Sequence, residues 1–395
     1  MRRLAAHYIF PISAPPLRNG LLTLGDDGEV LQLESGSDRL DEREGVEFYS
    51  GIIVPGFVNA HCHLELSYLK GLVPQGTGLA GFIRQLSQLR NVVGEADAQR
   101  AMALADAQMY AGGTVAVGDV SNGRESFAVK ARSRIVYHTF VERYGLRRED
   151  VPAGIASAKA LLREAELLGL SASATPHAPY STCDAMYDAL SRMDAGFAPL
   201  WSVHNQECED ENNLFINGGG ELQRMFAGMG LPLPQPTGST SIGHTMRHVS
   251  AAQRLALVHN VCTSSEDYDL ATAQCSRITW VMCCASNHHI GRALPPIDML
   301  RSKGASLALG TDSLASNHSL LMVDELKFLS SRFPHIPLHE MLSWATLGGA
   351  KAVGKDEVFG SFEIGKRPGA VLLSCLNLDE QKITSDTKAF LLTKK

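Results

Sequence analysis

Between residues 55 and 350 one alternation recurs: a short apolar or β-branched run, then a longer stretch rich in Ala, Leu and Glu. The runs are Phe57–His63, Thr114–Asp119, Ile135–Phe140, Ser171–Thr175, Leu200–His204, Leu255–His259, Ile278–Met282 and Ser306–Gly310. Runs this short suit strands, whereas Ala153–Leu168 and Ser319–Phe333 carry apolar residues at helical spacing. Strands that alternate with helices pair in parallel, because the crossover helix carries the chain back to start again in the same direction. Eight such units predict an α/β fold, a TIM (β/α)8 barrel over residues 55–354, with a doubly wound open sheet as the runner-up.

The two ends differ from this middle. Tyr8-Ile9-Phe10, Leu21–Leu24 and Val30–Leu33 are short strand-like runs, and Gly25-Asp26-Asp27-Gly28 is a hairpin signal. Far along the chain, Ala370–Leu373 follows the turn-rich Gly365–Gly369, and Ala389–Leu392 is a further apolar run. The expectation is one small composite β-sheet domain from both termini, residues 1–54 and 355–395. The Pro- and Gly-rich Leu231–Gly243 reads as a long loop near the barrel mouth.

Composition removes some classes of function. Hydrophobic residues make up 45% and charged residues 20%, as in ordinary soluble globular chains. A net charge of -6 argues against a broad nucleic-acid surface. The eight cysteines are scattered without a CxxC pair, and Cys283-Cys284, inside an apolar run, read as core thiols. Met1-Arg2-Arg3 is basic, but no long apolar stretch follows. The expectation is therefore no membrane span and a reducing, cytoplasmic setting.

A TIM barrel presents its chemistry at the C-terminal ends of its strands. Those ends hold His61 and His63, His177, His204, His259, the run Asn287-His288-His289, and Asp312. Alternate side chains of a strand share a face, so His61 and His63 point into one cavity and Cys62 points away. One histidine is commonly structural, but five or more at one end of a barrel point to a transition-metal site. Glu207 lies three residues after His204, so the strand must end near His204 for the following loop to turn Glu207 inward.

These residues carry a family resemblance. Pro55–His63, Pro176-His177-Ala178-Pro179-Tyr180-Ser181, His204-Asn205-Gln206-Glu207, His259-Asn260, Ser286–Gly291 and Gly310-Thr311-Asp312-Ser313 together resemble the amidohydrolase superfamily, in its cytosine deaminase and chlorohydrolase branch. The resemblance spans most of the chain. It implies His61, His63, His204 and Asp312 as ligands of one divalent metal ion, Zn²⁺ first and Fe²⁺ second, with Glu207, His259 and Asp312 as catalytic groups. Three imidazoles and a carboxylate suit such an ion, and Glu207 beside it can shuttle a proton to a ring nitrogen. Binuclear members resemble one another in bridging two metals with a carboxylated lysine at the end of strand 4. No lysine stands between Lys159 and Lys303, so a mononuclear site is expected, which favours deamination over cyclic-amide hydrolysis.

The resemblance also suggests a substrate. His177 is similar to a substrate-contacting position in adenosine-type deaminases of this branch, aminodeoxyfutalosine and S-adenosylhomocysteine/methylthioadenosine deaminases among them. Capping the strand 4 loop is its other role. Glu65 either meets an amino group or sugar hydroxyl or supports His63, and Glu142 at the end of strand 3 is open in the same way. Asn287, His288 and His289 are expected at the pocket wall. The expected activity is removal of an amino group as ammonia from an aminated purine-like ring, nucleoside-type substrates leading. The alternatives are hydrolysis of another C–N or C–Cl bond on a triazine-like heterocycle, and a barrel scaffold without catalysis. The expected partner is a small heterocycle, with no nucleic acid and no membrane, and a homodimer is left open.

Overall fold

Two four-stranded parallel sheets form the middle of the chain. Their strands are β1 Phe57–Cys62, β2 Thr114–Ser121, β3 Val136–Arg143, β4 Ser171–Pro176, β5 Leu200–Asn205, β6 Arg254–His259, β7 Ile278–Met282 and β8 Leu307–Leu309. The computed structural model describes residues 1–36, 44–90, 92–193 and 200–393. Residues 37–43 and 394–395 of the expected end domain lie outside the described residues. One sheet runs β1-β2-β3-β4 and the other β5-β6-β7-β8. β1, β2, β5, β7 and β8 are buried along their whole length, as parallel strands covered on both faces must be. That burial is why their sequences read as continuous apolar runs.

The sheet edges meet each other near the C-terminal strand ends. Between β4 and β5 the Thr175 hydroxyl stands in for a backbone ladder, donating to Ser202 O at 2.8 Å and accepting from Ser202 N at 3.0 Å. His204 N donates to His177 O at 2.9 Å. Between β8 and β1, Cys62 and Asp312 form a parallel bridge. Thr311 N and Asp312 N both donate to His61 O at 3.0 Å.

The helices lie between the strands and run Val151–Leu167 and Met322–Arg332 where Ala153–Leu168 and Ser319–Phe333 are expected. Pro152 sits in the first turn of the former, where a missing N–H costs nothing. That helix buries Ala158, Leu161 and Ala165, spaced on one face, against Val141 and Ala174 of β3 and β4. Removing one such leucine from water contributes about 1.5–3 kcal/mol. Cys62 faces Leu64, Met102 and Met109, away from the neighbouring histidines. Both Cys283 and Cys284 are buried in apolar clusters.

The two ends share one seven-stranded sheet. Its order is Lys388–Leu391, Ala370–Ser374, Val46–Pro55, Arg2–Ile9, Leu21–Leu24, Val30–Glu34, with Leu17–Arg18 pairing beside Arg2–Ile9. Val46–Pro55 is the strand that joins the two regions. Ile53 packs with Leu4, Ile9 and Leu22 on one face, while Ile52 and Val54 pack with Phe57 and Leu373 on the other. Period-two alternation thus lets one strand serve two cores. Gly56 then turns directly into β1, and a Cβ there would meet Val115 at 2.4 Å and Pro368 O at 2.5 Å. The expected loop Leu231–Gly243 has no regular structure as far as Thr240 and becomes helical over Ser241–Met246. Leu231 and Leu233 pack beside Tyr180 and Phe226, near the mouth of the site.

Candidate active site

Four non-glycine residues at or just beyond the ends of β5, β6 and β8 adopt positive φ: Gln206 (49°), His259 (78°), Asn260 (58°) and Asp312 (57°). Each costs on the order of 1 kcal/mol or more, so local bonds must hold it. Gln206 N and Glu207 N donate to the two oxygens of Glu211 at 2.8 and 2.9 Å. Asn260 Nδ2 donates to Leu257 O at 2.8 Å and Val281 O at 3.2 Å. The Gln206 turn brings Glu207 to the cavity, the turn that its spacing from His204 demands.

Three imidazole nitrogens converge beside one carboxylate. His63 Nε2 lies 3.1 Å from His61 Nε2 and 3.2 Å from His204 Nε2. Asp312 Oδ1 is 3.6 Å from His63 Nε2 and 3.9 Å from His61 Nε2. Donors bound tetrahedrally at about 2.0–2.1 Å stand roughly 3.3 Å apart, so the set fits a Zn²⁺-sized ion. Burial, and then the other histidines, push His61 well below the usual imidazole range. Burial likewise holds His63 at about 3. All are therefore neutral at pH 7, with lone pairs free to ligate. His204 Nδ1 donates to His177 O at 3.0 Å, which leaves Nε2 as the free nitrogen. For Asp312, burial would raise the carboxyl, but His63, His259 and two hydroxyls hold it at about 2. Those hydroxyls, Ser286 and Ser316, donate to Oδ2 at 2.5 and 2.7 Å and leave Oδ1 toward the histidines.

The two further catalytic candidates face each other. Glu207 Oε2 is 3.6 Å from His259 Nε2, and Tyr180 OH donates to Glu207 Oε1 at 2.7 Å. Burial raises the Glu207 carboxyl above its usual range. Asn287 Nδ2 donates to His259 Nδ1 at 3.0 Å, so the neutral imidazole carries its proton on Nε2, toward Glu207.

A cavity of about 630 Å³ opens over these groups, lined by His63, Glu142, His177, His204, Glu207, His259 and Asp312. Leu66, Leu79, Phe82, Ile83, Phe226 and Ile290 form an apolar wall, and Arg90 and Arg147 also line it. His177 reaches the cavity while its Nδ1 contacts Ser181 Oγ at 2.5 Å. Glu142 is 2% exposed; its Oε2 accepts from Asn122 Nδ2 at 2.8 Å, and its Oε1 lies 3.4 Å from His204 Nδ1.

Several expected wall residues stand elsewhere. Glu65 does not line the cavity: its carboxylate accepts from Asn122 N at 3.1 and 3.3 Å and supports the loop behind. Asn287 acts on His259 from behind. His288 turns away from the cavity, where the sequence reading put it at the wall. The reason is that β7 is followed by the helix Cys284–Gly291, in which successive side chains rotate by about 100°. His288 instead packs on Phe328 and accepts from Arg332 at 3.3 Å. His289 contacts Val73 O at 3.2 Å. Asn122, Glu211 and Ser316 are absent from the expected site, because each acts through a hydrogen bond to another side chain or to backbone and follows no motif spacing; Ser286 is expected only as part of its motif, without its bond to Asp312.

The model of the Amidohydrolase family matches residues 52–394. A 5-methylthioadenosine/S-adenosylhomocysteine deaminase of Teredinibacter turnerae is 26% identical, over 89% of this chain and 78% of its own. An aminodeoxyfutalosine deaminase of Deinococcus radiodurans is 28% identical, over 80% and 75%. The crystal structure of Helicobacter pylori aminofutalosine deaminase, in complex with methylthio-coformycin, superposes with a TM-score of 0.82. It is 22% identical and covers 97% of this chain and 94% of that one. With the family model matching from the strand before β1 through the last described strand, the chain belongs to the amidohydrolase family.

Proposed function

We propose that this amidohydrolase deaminates an adenine-type nucleoside, in a closed (β/α)8 barrel, at a mononuclear centre. The observation that carries the reading is one cavity in which the His61, His63, His204 and Asp312 donors converge beside the buried carboxyl of Glu207. Those four residues would hold the ion, and the three-nitrogen, one-oxygen donor set suits Zn²⁺ first and Fe²⁺ second. When bound, such an ion brings the pKa of water toward neutrality and so supplies a nucleophile. Support for a single ion is the lack of any lysine between Lys159 and Lys303.

The remaining steps belong to the side chains. Asp312, fixed by Ser286 and Ser316, accepts a proton from the attacking water. Glu207 enters protonated, which its burial favours, and gives its proton to the ring nitrogen beside the amino-bearing carbon. His259 donates from Nε2 to the oxygen as the tetrahedral centre forms. Glu207, left as a carboxylate, takes the proton of the new hydroxyl and passes it to the departing amine, and Asp312 returns its proton to Glu207, so that C–NH₂ and water become C=O and ammonia.

The cavity, at about 630 Å³ with a long apolar wall, exceeds what a free base fills. The related proteins named above are deaminases of nucleosides carrying substituents. His177 and Glu142 are the polar groups we assign to the sugar. We assign residues 1–54 and 355–395 to a small composite domain and 55–354 to the barrel. The protein works in the cytoplasm on a small molecule, as a monomer or homodimer; no described helix is long and apolar enough to cross a membrane.

The test is ammonia release from adenosine, a 5′-thioether adenosine, adenine and a chlorotriazine, run on wild type and Glu207→Gln. The expected result is turnover of the nucleosides, a fall of ~10²-fold or more in the variant, and unchanged metal content near one ion per dialysed chain. Chloride release from the triazine without ammonia from any nucleoside would instead select the chlorohydrolase reading.

A further inference from the structure

A second group of ligating side chains stands away from the cavity, on two neighbouring helices. Asp184 and Asp188 are one turn apart on Asp184–Met193. His244 is on Ser241–Met246, and His248 lies one turn further along, just past that helix. Two residues four apart on a helix share a face, so two such pairs oppose each other here. His244 Nε2 is 3.2 Å and His248 Nε2 3.5 Å from the same atom, Asp184 Oδ1. One ligand atom from each of the three lies within 4.8 Å of the others. The spacing to Asp184 is close to the roughly 3.3 Å of donors on one tetrahedral ion.

Two observations separate this group from an ordinary cluster of ion pairs. His248 Nδ1 is 3.0 Å from Asp188 Oδ1, a contact that puts its proton on Nδ1 and leaves the Nε2 lone pair toward Asp184. A carboxylate that orients a ligating histidine in this way is the usual support of a metal ligand. His244 is 6% exposed, and its Nε2 is buried without a hydrogen-bond partner although Asp184 is near. The Tyr187 ring stacks on the His248 ring at 4.9 Å and fixes its plane. We propose that His244, His248 and Asp184, with Asp188 orienting His248, form a second, weaker site for a divalent transition-metal ion that clips the two helices together. The two-nitrogen, one-oxygen set suits Zn²⁺, Ni²⁺ or Co²⁺, with water on the side where Asp184 is exposed.

Arg247 is the built-in opponent of this ion. Its guanidinium donates to His244 Nδ1 at 3.0 Å and so favours the tautomer with the proton on Nε2. Binding must shift that proton to Nδ1 and move the exposed Arg247 aside. Affinity is thereby held below that of the four-ligand centre, and the two sites can be filled in turn.

The experiment is a calorimetric titration of Zn²⁺, and separately Ni²⁺, into protein already carrying its first ion. A second equivalent per chain is expected, together with a rise in thermal midpoint as free metal increases. His248→Ala should abolish it, Asp188→Asn should weaken it ~10–100-fold, and Arg247→Ala should tighten it. All three should keep the first equivalent. Stoichiometry that stays at one in excess metal, or a second equivalent indifferent to His248→Ala and Asp188→Asn, would overturn the assignment. His244→Ala and His248→Ala each remove a largely buried ring, so their results count only if the metal-free variants melt like wild type; Asp188→Asn, at a half-exposed position, decides otherwise.

Discussion

Lys130→Met should be among the most damaging single changes outside the metal ligands. Lys130 and Asp119 have no exposed side-chain surface, and Nζ lies 2.5 Å from Oδ2. Nζ also donates to Ser121 Oγ at 2.8 Å. The other Asp119 oxygen accepts from Leu64 N at 2.7 Å, the residue directly after the ligand His63. Methionine fills the same space but leaves Asp119 as a buried carboxylate without its cation. Breaking a buried pair in this way costs about 3–5 kcal/mol, against a typical total stability of about 5–15 kcal/mol. The loss should depend on pH. Burial already raises Asp119 above its unfolded value, and Lys130 opposes that rise. In the variant the folded pKa climbs further. A group with a raised folded pKa stabilises the fold fully below its unfolded pKa and loses that contribution as pH increases. Lys130→Met should therefore be least harmful near pH 5 and worst near pH 8. The double variant Lys130→Met/Asp119→Asn keeps an acceptor for Leu64 N and removes the stranded charge, so it should recover most of the loss. Urea melts at the three pH values 5, 7 and 8, on metal-loaded protein, measure this through the midpoint at constant slope. A single-variant loss under about 1 kcal/mol at pH 7, or a double variant no better than the single, would refute the argument.

Tyr180→Phe removes a hydrogen bond to the Glu207 carboxylate, worth about 1.5–3 kcal/mol, which converts to a rise of about 1–2 pH units in the limb of kcat/KM that reports Glu207; a limb that stays put sinks the pairing. His177→Asn should leave the ion bound yet cost far more activity on a nucleoside than on its base, because an unpaired sugar hydroxyl is what the change creates; equal losses would make His177 structural. Glu47, fork-bonded to Arg2 across two strands of the end sheet, is held at about 2 mainly by that hydrogen bond. Its folded pKa is depressed, so its contribution is present above the unfolded value and fades as pH falls toward 2. Glu47→Gln should flatten the acid side of the stability curve between about pH 4.5 and 2, and an unchanged acid melt would count against the pair.

What the sequence reveals follows from period and spacing. The apolar runs fix the starts of all eight strands to within a residue, since a strand covered on both faces shows mostly apolar side chains. β3 runs on past Phe140 to Arg143. Glu142 and Arg143 are charged, and their bonds to Asn122, with His204 beside Glu142, make burial there tolerable, which no local pattern betrays. His61, His63, His204 and Asp312 are legible because each sits at a strand end. His288 is misread because the residues after β7 follow the period of a helix, so neighbours in sequence face different ways. Glu211 and Asn287 hold the catalytic groups from outside the cavity, and sequence spacing carries no record of such support.

The left-handed residues at the strand ends bear on how this protein can be altered. Gln206, His259, Asn260 and Asp312 occupy backbone conformations that glycine adopts freely. Relieving that strain with Gly is an obvious route to a higher melting temperature, but at Gln206 and Asn260 the change also removes buried side-chain hydrogen bonds that offset the gain. At His259 and Asp312, which line the cavity, it would also strip out the groups we assign to catalysis. Thermostability screens without an activity readout should accumulate such changes, whereas selection for turnover should hold the strain in place and leave stabilisation to the helices and the end sheet.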